Sequence, residues 1–256
     1  MKFEEAFEQA EKAARVAELA ARRLVTAAKA LVKAASDGDI GRIRRASEKL
    51  SQEADTARQD AANACTAWPL DSQAEEQYLR EEYPQELLLS AQENGLKMQP
   101  YDGALVAYPV VLRVAPSQRA VVLNRKRISI LRPSRLIARI KTIQNRRLAG
   151  NPQAFLEALF SAYRLLAQGE RAGTAVSLEE VFRTLTLLPG TDYNKEDFAR
   201  DLLSLDRSGT GMTRSGARIS LPASTGTRDS RHTFLCATPE GEIVTFYGIR
   251  FSEDAK

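Results

Sequence analysis

The stretch NRKRISILRPSRLIARIKTIQNRR, residues 124–147, carries nine cationic side chains: Arg125, Lys126, Arg127, Arg132, Arg135, Arg139, Lys141, Arg146 and Arg147. No acidic residue interrupts it. The acid-free window runs from Gly103 to Leu156 and adds Arg113 and Arg119, so eleven of the 37 basic residues lie here and 26 face 33 acidic ones elsewhere. A charge segregated in this way sets a local field that selects polyanions, which the net charge of +4 hides. Phosphates along a nucleic-acid backbone call for a row of fixed cations, and arginine adds a bidentate fork that lysine lacks. On a helix, Leu136, Ile137, Ile140 and Ile143 share one face, while Arg135, Arg139 and Arg146 fall at steps of four and seven on another. An acidic protein surface would meet the same stripe, and Glu-rich residues 75–86 of this chain are one such surface.

A second, weaker group of cations sits in a Gly/Ser/Thr-rich loop: Arg207, Arg214, Arg218, Arg228 and Arg231, with Asp229 the one acid between Arg207 and His232. A plain surface loop accounts for such a composition; the alternative is that Arg214, Arg218, Arg228 and Arg231 make backbone contacts that position without reading bases.

Other chemistries find less support. GMTRSGAR (211–218) has the glycine spacing of a phosphate loop, but Ala217-Arg218 replaces the Lys-Ser/Thr pair and a strand follows, not a helix. LPASTG (221–226) has one residue too many for a sortase signal, and no apolar tail follows it. His232 is the only histidine, and neither Ser224 nor Ser230 lies in a nucleophile elbow. Asp201, Asp206, Glu240 and Glu242 show no nuclease spacing, so an enzyme would need a site that these motifs do not reveal. Cys65 and Cys236 stand apart with no zinc-type cluster, which predicts neither metal, cofactor nor disulfide scaffold and suggests a reducing compartment. No apolar run of membrane-spanning length occurs, and a cytoplasmic location is expected.

The elements that must position these residues divide the chain into four segments. Residues 1–66 read as a long Ala-rich antiparallel helical hairpin. Phe3, Phe7, Ala10, Ala14, Ala17, Ala21, Leu24, Ala28, Leu31 and Ala35 repeat at 4-3-4-3 spacing, SDGD (36–39) makes the turn, and Ile40, Ile43, Leu50, Ala54, Ala57, Ala61 and Ala64 repeat the seam. Alanine removes little apolar area from water, so such a hairpin favours a further partner, a second copy or a larger protein.

Residues 67–100 read as an acidic linker and a short helix ending near Gly95. In 101–150, the β-branched runs LVAYPVVLRVA and RAVVLNRKRISIL suggest a basic β-hairpin, followed by a helix with Pro133 in its first turn. Residues 151–256 give three helices, with a short extended piece (TAVS) after the first, and then strands with a hairpin at Pro239-Glu240-Gly241. This order resembles a winged helix, although the turn between the second and third helices is longer than in a helix-turn-helix.

The fold class expected is therefore α+β. The function expected is a non-enzymatic accessory subunit that contacts nucleic acid, duplex DNA above all, through the basic hairpin and helix while the N-terminal arm docks on a larger partner. Prokaryotic genome maintenance or anti-phage defence would suit such a subunit. The alternatives are a structural adaptor for an acidic protein and an unrecognised nuclease or other enzyme.

Overall fold

The computed structural model describes residues 1–146, 151–168, 173–187, 193–221 and 233–253. The chain is mixed α+β, a long N-terminal helical hairpin followed by antiparallel sheets with β-hairpins. It divides into two compact units: Met1–Glu86 with Leu131–Ser134, and Leu87–Ile130 with Arg135–Lys256.

In the first unit, α1 (Phe3–Ser36) and α2 (Ile40–Cys65) form the hairpin. Gly38 supplies the positive φ of the turn, and the Asp39 carboxylate accepts the Arg42 N–H at 2.9 Å to cap α2. The heptad spacing predicted for α1 is present, but its phase differs. The inward positions are Phe3, Ala6, Ala10, Ala13, Ala17, Ala20, Leu24, Ala27, Leu31 and Ala34, whereas Ala14, Ala21 and Ala35 face solvent. On α2 the inward row runs Ile43, Ala46, Leu50, Glu53, Ala57, Asp60 and Ala64, with Ile40, Ala54 and Ala61 exposed. The doublets Ala13-Ala14, Ala20-Ala21 and Ala34-Ala35 leave the two phases equal in hydrophobicity, so packing rather than composition selects between them. No residue of α2 is fully buried.

The base of the hairpin is built differently. The acidic linker is itself helical, α3 (Ser72–Glu81), capped by Asp71 and followed by α4 (Tyr83–Glu93). Phe3 stacks on Tyr78 with centroids 4.5 Å apart and meets Phe7, Trp68 and Tyr83 edge-on or tilted. The Glu86 carboxylate, 6% exposed, accepts the Phe3 and Glu4 N–H groups at 3.1 and 2.9 Å and the Tyr78 hydroxyl at 3.0 Å. It therefore satisfies the open donors at the start of α1 and places a negative charge where the helix dipole favours one. The Tyr83 hydroxyl donates to the Leu131 carbonyl at 2.5 Å. Burial, with Glu86 close by, pushes both phenols well above their usual values, which keeps them as donors.

The second unit opens with a five-stranded antiparallel meander: β1 (Gln99–Tyr101), β2 (Ala104–Ala107), β3 (Val110–Ala115), β4 (Ala120–Leu123) and β5 (Lys126–Ile128). Each run predicted as one strand folds at its middle. The first turns at Tyr108-Pro109, a cis peptide, and the second at Asn124-Arg125, so a hairpin becomes a meander. Asp102 and Gly103, both at positive φ, join β1 to β2.

After α5 (Pro133–Gln144) come α6 (Pro152–Leu166), β6 (Val176–Ser177), α7 (Leu178–Leu185), α8 (Lys195–Arg207), β7 (Ala217–Ser220), β8 (Phe234–Ala237), β9 (Ile243–Phe246) and β10 (Gly248–Glu253). Strands β8 and β9 form the predicted hairpin, but β10 leaves it to pair with both β6 and β7, giving the sheet order β6-β10-β7. The core joins Phe155, Leu156 and Leu159 of α6, Val181 of α7, Phe198 and Leu202 of α8, and Ile249 and Phe251 of β10. Phe198 is its aromatic centre, 4.9 Å from Phe234 and 5.9 Å from Phe155 between centroids.

Candidate nucleic-acid interface

Helix α5 shows the predicted two faces. Leu136, Ile137, Ile140 and Ile143 are buried, and Arg135 and Arg139 are exposed, as is Arg146 just beyond the helix end. The end of the helix is fixed by Arg200 of α8, whose guanidinium donates to the carbonyls of Ile143, Gln144 and Arg146 at 2.8, 3.2 and 3.0 Å. A cation at a helix C-terminus satisfies open acceptors and complements the dipole. Arg146 in turn reaches the Asp197 carboxylate at 3.1 Å, so α5 and α8 are tied in both directions.

The β4–β5 turn brings further cations to the same place. Asn124 and Arg125 both have positive φ, 43° and 71°, as a two-residue type I′ turn requires. Asn124 suits its position, and its carboxamide oxygen accepts the Val111 N–H at 2.8 Å. Arg125 occupies the position where glycine is favoured, at a cost of roughly 1–2 kcal/mol for a left-handed L-residue. Its guanidinium donates to the Thr233 carbonyl at 2.5 Å and to the Thr233 hydroxyl. Burial and the nearby Arg113 push its pKa below the usual arginine value.

The start of α8 closes the group. The Asn194 side chain caps the helix through the Glu196 and Asp197 N–H groups, both at 2.9 Å. Lys195 pairs with Glu179 at 2.6 Å and lies 5.8 Å from the Phe234 ring centroid. A cavity of about 720 Å³ results, lined by Asn124, Arg125 and Lys126 from the turn, Arg139 and Arg146 from the α5 side, Asn194, Lys195 and Glu196 from α8, and Thr233, Phe234 and Leu235 from the β8 side. Among the described residues, five cations and one carboxylate face it. Burial raises the pKa of Glu196, opposed by Arg139, Arg146 and Lys126 and assisted by Asp197.

Of the residues predicted to contact nucleic acid, the structure gathers Arg125, Lys126, Arg139 and Arg146 around this cavity. Arg135 is exposed one turn before Arg139, and Lys141 is half-buried on the same helix. Arg127 donates to the Gln118 carbonyl at 3.1 Å. Arg132 belongs to the first unit, where its Nε donates to Glu4 at 2.7 Å and its second arm engages Glu11. Arg214 and Arg218 are exposed, the first with its backbone N–H on Glu157 at 2.7 Å and the second on β7. Arg147, Arg228 and Arg231 lie outside the described residues, as do Ser224, Asp229, Ser230 and His232.

Sequence reasoning missed Lys195, Asn194, Glu196 and Thr233. Lysine in the first turn of NKEDF is the signal that could have flagged the site, because the helix dipole disfavours a cation there. Two of the four acids weighed for catalysis have structural partners: Asp201 accepts the Tyr193 hydroxyl at 2.5 Å, and Glu240 pairs with Arg207, which holds its carboxyl down to about 2.

The third helix of a winged helix would normally present its face to DNA. Here Asp197 through Leu203 of α8 are all buried, along with Leu205, which leaves Lys195, Asp206 and Arg207 as its exposed residues. Among the described residues, no helix is long and apolar enough to cross a membrane. The chain matches no known protein family, no curated protein and no solved structure.

Proposed function

We propose that this protein binds nucleic acid as a non-enzymatic accessory subunit, through the face formed by the β4–β5 turn, the exposed side of α5 and the start of α8. The observation that carries this reading is the convergence of Arg125, Lys126, Arg139, Arg146 and Lys195, from three separate elements, on one cavity that has a single carboxylate among the described residues. Cations that merely keep a surface soluble have no reason to converge. Arg135 extends the group along α5, so that a phosphate backbone can run past the cavity mouth.

The order α6, β6, α7, α8, β7, β10, with the β8–β9 hairpin inserted before the last strand and β6 paired to β10, resembles a winged helix and agrees with a nucleic-acid role. With the body of α8 buried, contact falls to the turn, to α5 and to Lys195 at the start of α8. The N-terminal hairpin serves as the docking arm for a protein partner or a second copy: its seam is alanine, and Val25 and Val32 stay 53% and 69% exposed.

Gel shifts with duplex DNA over a range of salt test this reading. Complex formation at low salt is expected, with affinity falling steeply as salt rises. The double variant Lys126→Glu/Arg139→Glu should abolish it. Absence of a complex at low salt, or wild-type binding by the double variant, would overturn the proposal.

A further inference from the structure

We infer that the cavity receives a single nucleotide unit bearing a terminal phosphate monoester. The inference rests on the nucleic-acid reading above and narrows it. A cavity of about 720 Å³ is of the size that holds small ligands, and a duplex is far too wide to enter it. One nucleotide fits, and its parts match the walls. Phe234 and Leu235 offer an apolar side for sugar or base, and Asn124 and Asn194 bring carboxamides.

Charge points to the terminal phosphate rather than to an internal one. A phosphodiester carries one negative charge, whereas a monoester carries between about 1.5 and 2 near neutral pH. Among the described residues, Lys126 and Arg139 line the cavity and make no hydrogen bond or ion pair of their own, while Arg146 and Lys195 already rest on Asp197 and Glu179. Two unengaged cations on opposite elements suit a doubly charged group. The guanidinium of Arg125, held by the Thr233 carbonyl and hydroxyl, adds a cation fixed in place at the cavity wall. Among the described residues, Glu196 is the lining group that repels such a ligand.

The monoester could belong to a strand end or to a free nucleotide, and one experiment separates them. The full chain is titrated, by fluorescence anisotropy, with a short single-stranded DNA in three forms: 5′-phosphorylated, 3′-phosphorylated, and hydroxyl at both ends, with AMP as competitor. One phosphorylated form should bind about tenfold more tightly than the hydroxyl form, the effect of one added charge-assisted hydrogen bond. Lys126→Ala/Arg139→Ala should erase the preference, and Glu196→Gln should enlarge it several-fold. AMP competing as well as the phosphorylated strand would assign the site to free nucleotides, and much weaker competition would assign it to strand ends. Equal binding of all three forms with duplex binding intact would overturn the inference and leave the backbone reading standing. Failure of every nucleic acid to bind would overturn both.

Discussion

The basic stretch supplies cations to two regions of the molecule, and they are used in opposite ways. In the first unit, Arg132 is only 23% exposed at its side chain and is held by Glu4 and Glu11, while Ser134 donates to Glu4 twice at 2.8 Å. In the second unit, Lys126 and Arg139 face a cavity without such partners among the described residues. Arg139 follows Arg132 by seven positions, yet one is part of the fold and the other faces a cavity with no hydrogen-bond partner among the described residues. Density of positive charge therefore does not identify a binding surface; the partners that each guanidinium already has do so.

The same contrast locates where stability is concentrated. The hairpin arm rests on alanine, whereas its base rests on aromatic packing and one buried carboxylate, so the largest effect is expected from Glu86→Ala. It removes the acceptor for two α1 N–H groups and for the Tyr78 hydroxyl, and leaves two of the three donors buried and the Glu4 N–H partly so. A loss of about 3–5 kcal/mol is expected in chemical denaturation followed by circular dichroism. Glu86→Gln, which keeps an acceptor but not the charge, should lose less than half of that. A loss below about 1 kcal/mol for the alanine variant would show that the α1 start is held by aromatic packing alone.

A smaller effect tests the arm itself. Ala20 is 3% exposed and its neighbour Ala21 is exposed, so Ala20→Glu should cost about 2 kcal/mol through overpacking and charge burial, and Ala21→Glu less than about 0.5 kcal/mol. The reverse result would restore the seam phase that the 4-3-4-3 spacing suggested. The sequence predicted the hairpin, its turn and its heptad period because those depend on spacing. It left the phase undetermined because alanine stands at both candidate positions.

The meander was similarly half legible. β-branched residues announce strands, but the Asp-Gly turn signal of YDGA (101–104) stands before the β-branched runs, and Asn124-Arg125 lacks the glycine that usually marks a type I′ turn. Of the site, the α5 face and the turn cations were readable from periodicity and charge. Lys195 and Thr233 were not, since each joins the cavity through contacts 56 or more residues away in sequence from Arg139, and no local pattern encodes such a meeting. The separation of Arg132 from its neighbours had the same cause: its acids, Glu4 and Glu11, lie more than a hundred residues away.

The least disruptive test compares the two arginines directly. Arg132→Ala should destabilise the protein by about 1 kcal/mol, the scale of a partly exposed ion-pair network, and leave DNA affinity unchanged. Arg139→Ala should leave stability within about 0.5 kcal/mol of wild type and weaken binding, since its side chain is exposed and unpaired among the described residues. The Arg132 effect should also depend on pH. Burial pushes the Glu4 carboxyl up, but hydrogen bonds from Arg132 and Ser134 more than reverse this, and Arg132 with Arg15 lowers Glu11 as well. Carboxyls depressed in the folded state add stability that is present above their unfolded pKa, about 4.3, and is lost as pH falls through their folded values. The stability difference between wild type and Arg132→Ala should thus hold steady from pH 7 to about 5 and shrink below about 4. Unfolding curves measured across that range decide the matter: a difference that persists undiminished at low pH would mean that Arg132 acts through packing of its stem and not through its two carboxylates.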